Sequence, residues 1–554
     1  MQNFSLEGKK YFLTPVCLVP NGRAHLGHVA GPILKMDVLR RSLILRGADV
    51  RMISLSDVHE SHVAIRAHLT GSTPSEVANR FHDLIDNDFK TLGIEYDDFI
   101  NPLDEAWAGP YEKVNRDFLE DIIACGNAEV RSEQVPHLIS AQGNDPIPTS
   151  MRPRVGDPVV SGWLKGRCPA CSQPLVGFFC ETCGGHFSPS QMHDVATAHF
   201  DGKLEFQARN SLFLALQAGP QEILDHLRKI GVRPDFVKLA QRYMDSNGAS
   251  IRLSVPSPWG IKVKHPDILE DEVIWTYSAL LLACHLVAGE RYQELSGDPL
   301  NPLDAASDVT NILAFGIDNA VPFLVGATGC ALGQRHYKPF DGLLVNYFYD
   351  LDGAKFSTSR GHVIWAGDIV SLGGADADLV RAYLCQCNPE FDRASFNVEG
   401  FLSFHNAFSK QLRAVLEDAI DKAGQSNSRD AAVLRYLEAD FSAQAAALDP
   451  ATFDIASAFA AISHWIGRAP ALTATPESAI TWLAGFALLA SPVMPALAQW
   501  VWEQLHPDRK LSVQAVFGAR PANGIRPSSS AAPLRETPLS RAEFNACLPA
   551  HMRR

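Results

Sequence analysis

The chain has 554 residues, 46% of them hydrophobic and 20% charged, which is the balance of a globular protein and excludes a disordered or fibrous one. Forty-nine basic against 62 acidic side chains leave a formal net charge of -13, which disfavours coating nucleic acid by bulk charge but leaves room for a local basic path to RNA. No run of about 18 apolar residues offers a membrane span, and the opening MQNFSLEGKKYFLTP lacks the charged-then-apolar layout of an export signal, so a cytoplasmic location is expected.

At roughly 150 residues per domain, three or four packed units are expected. The stretch Lys10 to Leu18 reads as a buried strand, and Pro20-Asn21-Gly22 breaks it. His28 to Arg46 has helical spacing, and Val50 to Leu55 is a second short strand. Strand, turn, helix and strand in this order predict a parallel sheet with helical crossovers. The same texture returns at Val273 to Leu286 and at Asn311 to Val325, so the sheet is expected to resume after a long insertion. Inside that insertion Asn144 to Val160 is rich in proline and glycine and reads as a loop. From about residue 396 the pattern changes to a helical bundle, clearest at Phe401 to Ile420, Ala431 to Ala447 and Ile480 to Leu505. Residues 518 to 540 read as a Pro/Ser/Ala linker before one terminal helix, and no internal repeat is present.

Four of the eleven cysteines form two CxxC turns, Cys168-Pro-Ala-Cys171 and Cys180-Glu-Thr-Cys183, the second followed by Gly184-Gly185. Together they supply the four soft, tetrahedral ligands that Zn²⁺ prefers, and four protein ligands close the coordination sphere, so a structural zinc is expected. Two unrelated pairs of buried thiols are the alternative. The remaining seven (Cys17, Cys125, Cys284, Cys330, Cys385, Cys387 and Cys547) read as small apolar residues.

Two segments carry chemistry. Between the first strand and helix lies Pro20-Asn21-Gly22-Arg23-Ala24-His25-Leu26-Gly27-His28, where glycines admit close backbone approach and a helix start offers N–H groups to an anion. His25 and His28, three apart, share a side of the first turn and can both donate to phosphate oxygens. Taken alone, such a pair is more often a surface or packing feature. The second segment, Asp352 to Gly361, sets small hydroxyl residues between Lys355 and Arg360, a loop suited to closing on a polyphosphate and equally readable as a solvated turn.

In this order, with the cysteine module between them, these segments resemble the class I aminoacyl-tRNA synthetases, the methionyl type most closely. His25-Leu26-Gly27-His28 is similar to the family's His-x-Gly-His signature, and Lys355-Phe356-Ser357-Thr358-Ser359 to its Lys-Met-Ser-Lys-Ser signature. Lys165 to Cys171 resembles the methionine enzyme's zinc knuckle, Gly316-Ile317-Asp318 its Gly-Lys-Asp segment, and Asp376 to Arg381 the helix start after the loop. Ser395-Phe396-Asn397 and Pro492-Val493-Met494-Pro495 resemble points in its helical domain, so the likeness runs from about residue 11 to 510.

The resemblance implies an α/β fold, a Rossmann-type parallel sheet split by a zinc-binding connective insertion and followed by a C-terminal α-helical bundle. It divides the chain into a first Rossmann half at 1–103, the insertion at 104–270 with its knuckle at 163–190, and a second half at 271–346. A stem-contact fold with the signature loop follows at 347–395, an anticodon-binding-like helical domain at 396–517, and a linker and C-terminal segment at 518–554. It implies activation of an amino acid by ATP with Mg²⁺ and transfer to tRNA, with structural Zn²⁺ and no membrane or DNA partner. His25, His28, Lys355 and Arg360 are then catalytic. Gly27, Asp318 and Ser357 join His25, His28 and Lys355 on ATP, and Asp57 takes the substrate ammonium. Cys17, Val19, Trp275, Ala279, Asn319 and Phe323 would line the amino-acid pocket.

Several positions depart from the family pattern. The loop's second lysine is Thr358, whose loss removes a cation worth about 2.7–4 kcal/mol at a developing oxyanion, and Arg360 is no drop-in replacement. The family's leucine and tyrosine before the first signature become Cys17 and Val19, and a proline after Trp275 becomes Ala279. An isoleucine and a histidine near Asp318 become Asn319 and Phe323, so a substrate with a polar side chain other than methionine is expected. Ala471 stands where the family carries its anticodon tryptophan, with His464 and Trp465 nearby as expected core residues. Two other readings stay open: a tRNA-independent ligase passing the aminoacyl group to a small acceptor, and a non-catalytic tRNA-binding regulator.

Overall fold

The computed structural model describes residues 4–141, 151–178, 180, 183, 185–277, 281–358, 360–424, 426, 428–518 and 531–553. Its centre is a five-stranded, all-parallel sheet of β1 (Lys10–Pro15), β2 (Asp49–Leu55), β3 (Asp98–Ile100), β4 (Thr310–Gly316) and β5 (Gly342–Asn346), in the order β5-β4-β1-β2-β3. β4 and β5 are almost wholly buried, which is why they read as continuous apolar runs and not as alternating ones. The chain winds from β1 outward to β3, then returns to the other side of β1 for β4 and β5. That reversal opens a crevice at the carboxyl ends of β1 and β4, where ligands bind in such sheets.

The helix predicted after β1 is not uniform. Leu26–His28 forms one α turn, Val29–Ile33 widens into a π turn around Pro32, and a regular helix runs from Leu34 to Leu45. Pro32 lacks the N–H that would continue the ladder. Gly31 is needed at that bend, since a Cβ there would meet the Asn346 amide at 2.9 Å.

Between β3 and β4 the insertion builds a long antiparallel pair, Ala128–Ala141 with Gly202–Leu214, and a three-stranded sheet of Leu164–Arg167, Pro174–Val176 and His193–Thr197 that carries the cysteines. Of the loop expected at Asn144 to Val160, residues up to 150 lie outside the described residues, and 151–160 have no helix or strand beyond one isolated bridge at Pro158. The sheet does not resume at Val273. Glu272–Ile274 pairs antiparallel with Ser254–Pro256 outside it, because a three-residue apolar run specifies strand but not partner. The helix Leu281–Ser296 follows, and the sheet resumes at β4.

The C-terminal region is helical: Val398–Ala423, Ala431–Ala447, Ile455–Gly467, Pro476–Ala490 and Pro495–Leu505. The single helix expected over Ile480 to Leu505 is two, because Pro492 and Pro495 cannot donate and Pro495 sits in the first turn of the second. Trp465 and Trp482 stack at 6.4 Å in its core, and each indole N–H donates to the other's backbone carbonyl, at 3.1 and 3.2 Å. Trp465 is therefore a core residue as expected, but His464 is exposed and pairs with Asp440 at 3.3 Å.

The fully buried Arg381 joins the helical region to the sheet domain. It pairs with Asp37 at 2.6 Å and donates to the carbonyls of Pro492 and Val493 at 2.9 and 2.8 Å. The tail forms only one α turn, Arg541–Phe544, before 3₁₀ turns at Asn545–Cys547 and Ala550–Met552. Among the described residues no helix is long and apolar enough to cross a membrane.

Candidate active site

The first signature lies at the carboxyl end of β1. His25 has an extended backbone and caps the Leu26–His28 turn, its Nδ1 accepting the Gly27 N–H at 3.1 Å. The His25 N–H in turn donates to His28 Nδ1 at 3.2 Å, and the two imidazoles stack with centroids 3.7 Å apart. Burial pushes His28 down to about 4 and His25 well below its ordinary value, the latter helped by His28 and Lys355. Both rings are therefore neutral near pH 7 with Nδ1 as acceptor, which places the ring proton on Nε2. Neither Nε2–H has a hydrogen-bond partner among the described residues, so two parallel donors stand ready at the helix start.

The second signature reaches the same place. Residues 364–366 run beside 24–26, with Leu26 N donating to Ile364 O at 3.1 Å and Ala366 N to Ala24 O at 2.9 Å. Upstream, Tyr349–Leu351 and Ala354–Lys355 form a hairpin through Asp352 and Gly353. The ring of Phe356 then lies parallel to His25 at 4.8 Å. Gly27 is needed for this stack, since a Cβ there would meet His25 Cε1 at 2.9 Å and the Phe356 ring at 3.2 Å. Lys355 is lowered by burial, then by Arg360 and Arg393. Arg360 is exposed, and Thr358 turns its methyl toward Gly22. Ser357 exchanges backbone hydrogen bonds with His362, while Ser359 lies outside the described residues.

Two carboxylates follow the strands on either side of β1. Asp57 follows β2, is buried, and accepts the Thr276 hydroxyl at 2.8 Å. Burial, then Glu60, raises it to about 7. Asp318 follows β4, raised by burial and held down by its own N–H and the Asn319 side chain. Tyr277 donates its hydroxyl to the Asp318 carbonyl at 3.2 Å.

The expected pocket residues are not all brought together. Cys17 and Phe323 share one cluster around His285, whose Nε2 lies 3.9 Å from Cys17 Sγ and whose ring is 5.8 Å from that of Phe323. Asn319 sits in the 3₁₀ turn Ile317–Asn319 directly after Asp318, where its side chain helps to hold that carboxyl down. Val19 packs with Val58, Val63 and Phe81. Trp275 lies under the insertion, edge-on to Phe178 at 5.7 Å. Ala279 lies outside the described residues.

Sequence reasoning missed His285, which bonds Thr14 Oγ1 at 2.9 Å and is lowered by burial to about 3. Cys284, read as a small apolar residue, is buried in the same cluster, its thiol 3.6 Å from the Tyr111 hydroxyl. A histidine within the apolar run Leu281 to Ala288 was the available signal. Phe356, an aromatic in the signature loop, was another.

The four cysteines are free and their sulfurs lie within 4.8 Å of one another, with Cys168–Cys183 at 3.6 Å and Cys171–Cys180 at 3.5 Å. Zn–S bonds of about 2.3 Å in a tetrahedron set sulfurs about 3.8 Å apart, so the cluster is compatible with zinc.

The family described as tRNA synthetases class I (M) matches residues 11–418. A methionine–tRNA ligase of Methanocaldococcus jannaschii is 22% identical over 392 residues, covering 71% of this chain and 56% of the relative. One of Roseiflexus sp. is 26% identical over 408 residues, covering 70% and 64%. The match thus spans between half and two thirds of these relatives' own length. Among solved structures, Mycobacterium tuberculosis methionyl-tRNA synthetase in complex with methionyl-adenylate superposes with a TM-score of 0.67 at 17% identity, covering 94% of this chain and 99% of that one. The free-state structure of the same enzyme gives 0.62 at 15% identity, covering 96% and 99%. At such identities the structural likeness is one of fold.

Proposed function

The chain belongs to the class I tRNA synthetase family, and from that premise we propose that it is an aminoacyl-tRNA synthetase of the methionyl type, activating an α-amino acid with ATP and passing it to tRNA. The carrying observation is the pair of neutral, stacked histidines at the sheet's switch point, whose Nε2–H donors have no partner among the described residues. Donors fixed in advance where charge develops need no reorganisation during reaction, which is what phosphoryl and nucleotidyl transfer require of a protein.

In this reading His25 and His28 donate to triphosphate oxygens, and Asp318 accepts from the ribose hydroxyls. Asp57, as carboxylate, holds the substrate ammonium, which reverses the effect of burial on it. A carboxylate oxygen of the amino acid then bonds to the α-phosphorus, and the bond to the departing pyrophosphate breaks. The Lys355 hairpin follows that charge, with Arg360 beside it. Magnesium on the triphosphate would add positive charge. Zinc held by Cys168, Cys171, Cys180 and Cys183 would fix the insertion and take no part in the chemistry. With Thr358 in place of a second loop lysine, activation is about 10²–10³ slower than with that cation contact.

The imidazole of His285 packed between Cys17 and Phe323, where a purely apolar side chain leaves it no partner from the substrate, supports an amino acid other than methionine as the preferred substrate. Exchange of labelled pyrophosphate into ATP, followed by charging of total tRNA, tests the function. Amino-acid-dependent exchange and acid-precipitable aminoacyl-tRNA are expected. Exchange without charging overturns the transfer step, and no exchange overturns activation.

A further inference from the structure

The segment 531–553 is docked against the helix Val398–Ala423 and the fold that carries the signature loop. Arg413 Nε donates to the Arg535 carbonyl at 2.8 Å, Arg535 N to Asp376 at 3.1 Å, and Asn406 exchanges hydrogen bonds with the backbone of Leu539 at 3.0 and 2.7 Å. Phe544 is buried against Phe401 at 5.3 Å, and Cys547 packs on Gly373. Arg541 and Arg553 donate to the Met552 and Leu548 carbonyls at 2.6 and 2.9 Å, which pins the last 3₁₀ turn and presents His551.

His551 Nε2 lies 3.0 Å from His362 Nδ1, with the two rings stacked at 5.2 Å. The other nitrogen of His362, Nε2, is 3.0 Å from the Leu351 carbonyl. A carbonyl only accepts, so His362 Nε2 carries a proton and, in the neutral ring, its Nδ1 accepts the proton of His551 Nε2. His362 also closes the loop itself, exchanging two backbone hydrogen bonds of 3.0 Å with Ser357. One imidazole thus ties the end of the phosphate-following turn to the strand at its start, and a second imidazole from the tail fixes the tautomer of the first.

We propose that His551 is a positioning residue for the Lys355 loop, acting through His362. This rests on the reading that the loop follows pyrophosphate. Losing one exposed hydrogen bond of this kind lowers the population of the ordered loop about three- to tenfold.

The test compares the full chain with H551L, H551Q and H362L, and with the H551L/H362L double variant. For H551L, kcat/KM for ATP in pyrophosphate exchange should fall about three- to tenfold, with KM for the amino acid and the thermal midpoint unchanged. H551Q keeps an N–H donor at a similar reach and should recover most of the loss. The double variant should fall no further than H362L. Trypsin should nick after Lys355 or Arg360 faster in H551L and H362L than in the full chain or H551Q. Unchanged kinetics and nicking in H551L overturn the proposal. So does a fall that H551Q fails to restore, or losses that add in the double variant. If the full chain supports no exchange, the proposed function fails, and the nicking comparison alone decides for or against the loop contact.

Discussion

His25 is asked to do two things, and substitution separates them. As a cap it accepts the Gly27 N–H at 3.1 Å and stacks on His28 at 3.7 Å and on Phe356 at 4.8 Å. As a donor it offers Nε2–H. His25→Ala removes all of this: about 1 kcal/mol for the cap and about 0.5–1.5 kcal/mol for the ring contacts in stability. The missing donor costs about 2.7–4 kcal/mol in the transition state, or about 10²–10³ in kcat. His25→Asn restores a capping oxygen but cannot reach where Nε2 stood. Denaturant unfolding should therefore show the Asn variant recovering about 1 kcal/mol over the Ala variant, while pyrophosphate exchange stays as low in both. An Asn variant that regains exchange in proportion to stability would show that His25 only caps, and the account of the donor pair would fail.

Zinc analysis of the purified chain should give one ion per chain, and Cys180→Ser or prolonged chelation should loosen the insertion and lower the thermal midpoint; no stoichiometric zinc contradicts the site. Arg381→Met leaves the buried Asp37 with Arg41 at 2.9 Å and the Glu95 N–H at 3.3 Å as remaining partners, and unfolding should show a loss of about 3–5 kcal/mol, toward the lower end because these two stay. Asp57, raised to about 7, is protonated in the free protein below that pH, so KM for the amino acid should climb as pH falls through 7. The stability sign follows from the same shift. The folded state binds the extra proton between the ordinary 3.8 and about 7, so this contribution is complete below 3.8 and lost as pH rises through 7, and Asp57→Asn should remove that slope.

What the sequence showed best was local and repetitive. β1, its turn and β2 were legible because parallel strands buried on both faces must be apolar throughout, and the helix Ala431–Ala447 because its periodicity is uninterrupted. Pairing partners were not legible: nothing in Val273 and Ile274 distinguishes a hairpin with Val255 from a place beside β1. The paired cysteines could be read because four sulfurs at CxxC spacing have few other uses. In the candidate site, residue types were legible and their neighbours were not. Asn319 reads as a pocket amide from its place after Asp318, but its effect on that neighbouring carboxyl depends on the 3₁₀ turn it sits in, which its residue type does not specify. His285 meets Cys17 across 268 residues of chain and His551 meets His362 across 189, through packing that no local pattern encodes.

The central claim is that this chain makes an aminoacyl adenylate in a methionyl-type fold whose side-chain pocket has been rebuilt. Steady-state ATP–pyrophosphate exchange across the standard amino acids tests it most directly. The account predicts exchange that depends on an amino acid, that falls by about 10²–10³ in His28→Ala, and whose highest kcat/KM belongs to an amino acid other than methionine. No exchange with any amino acid contradicts the adenylate chemistry, and methionine as the best substrate contradicts the rebuilt pocket.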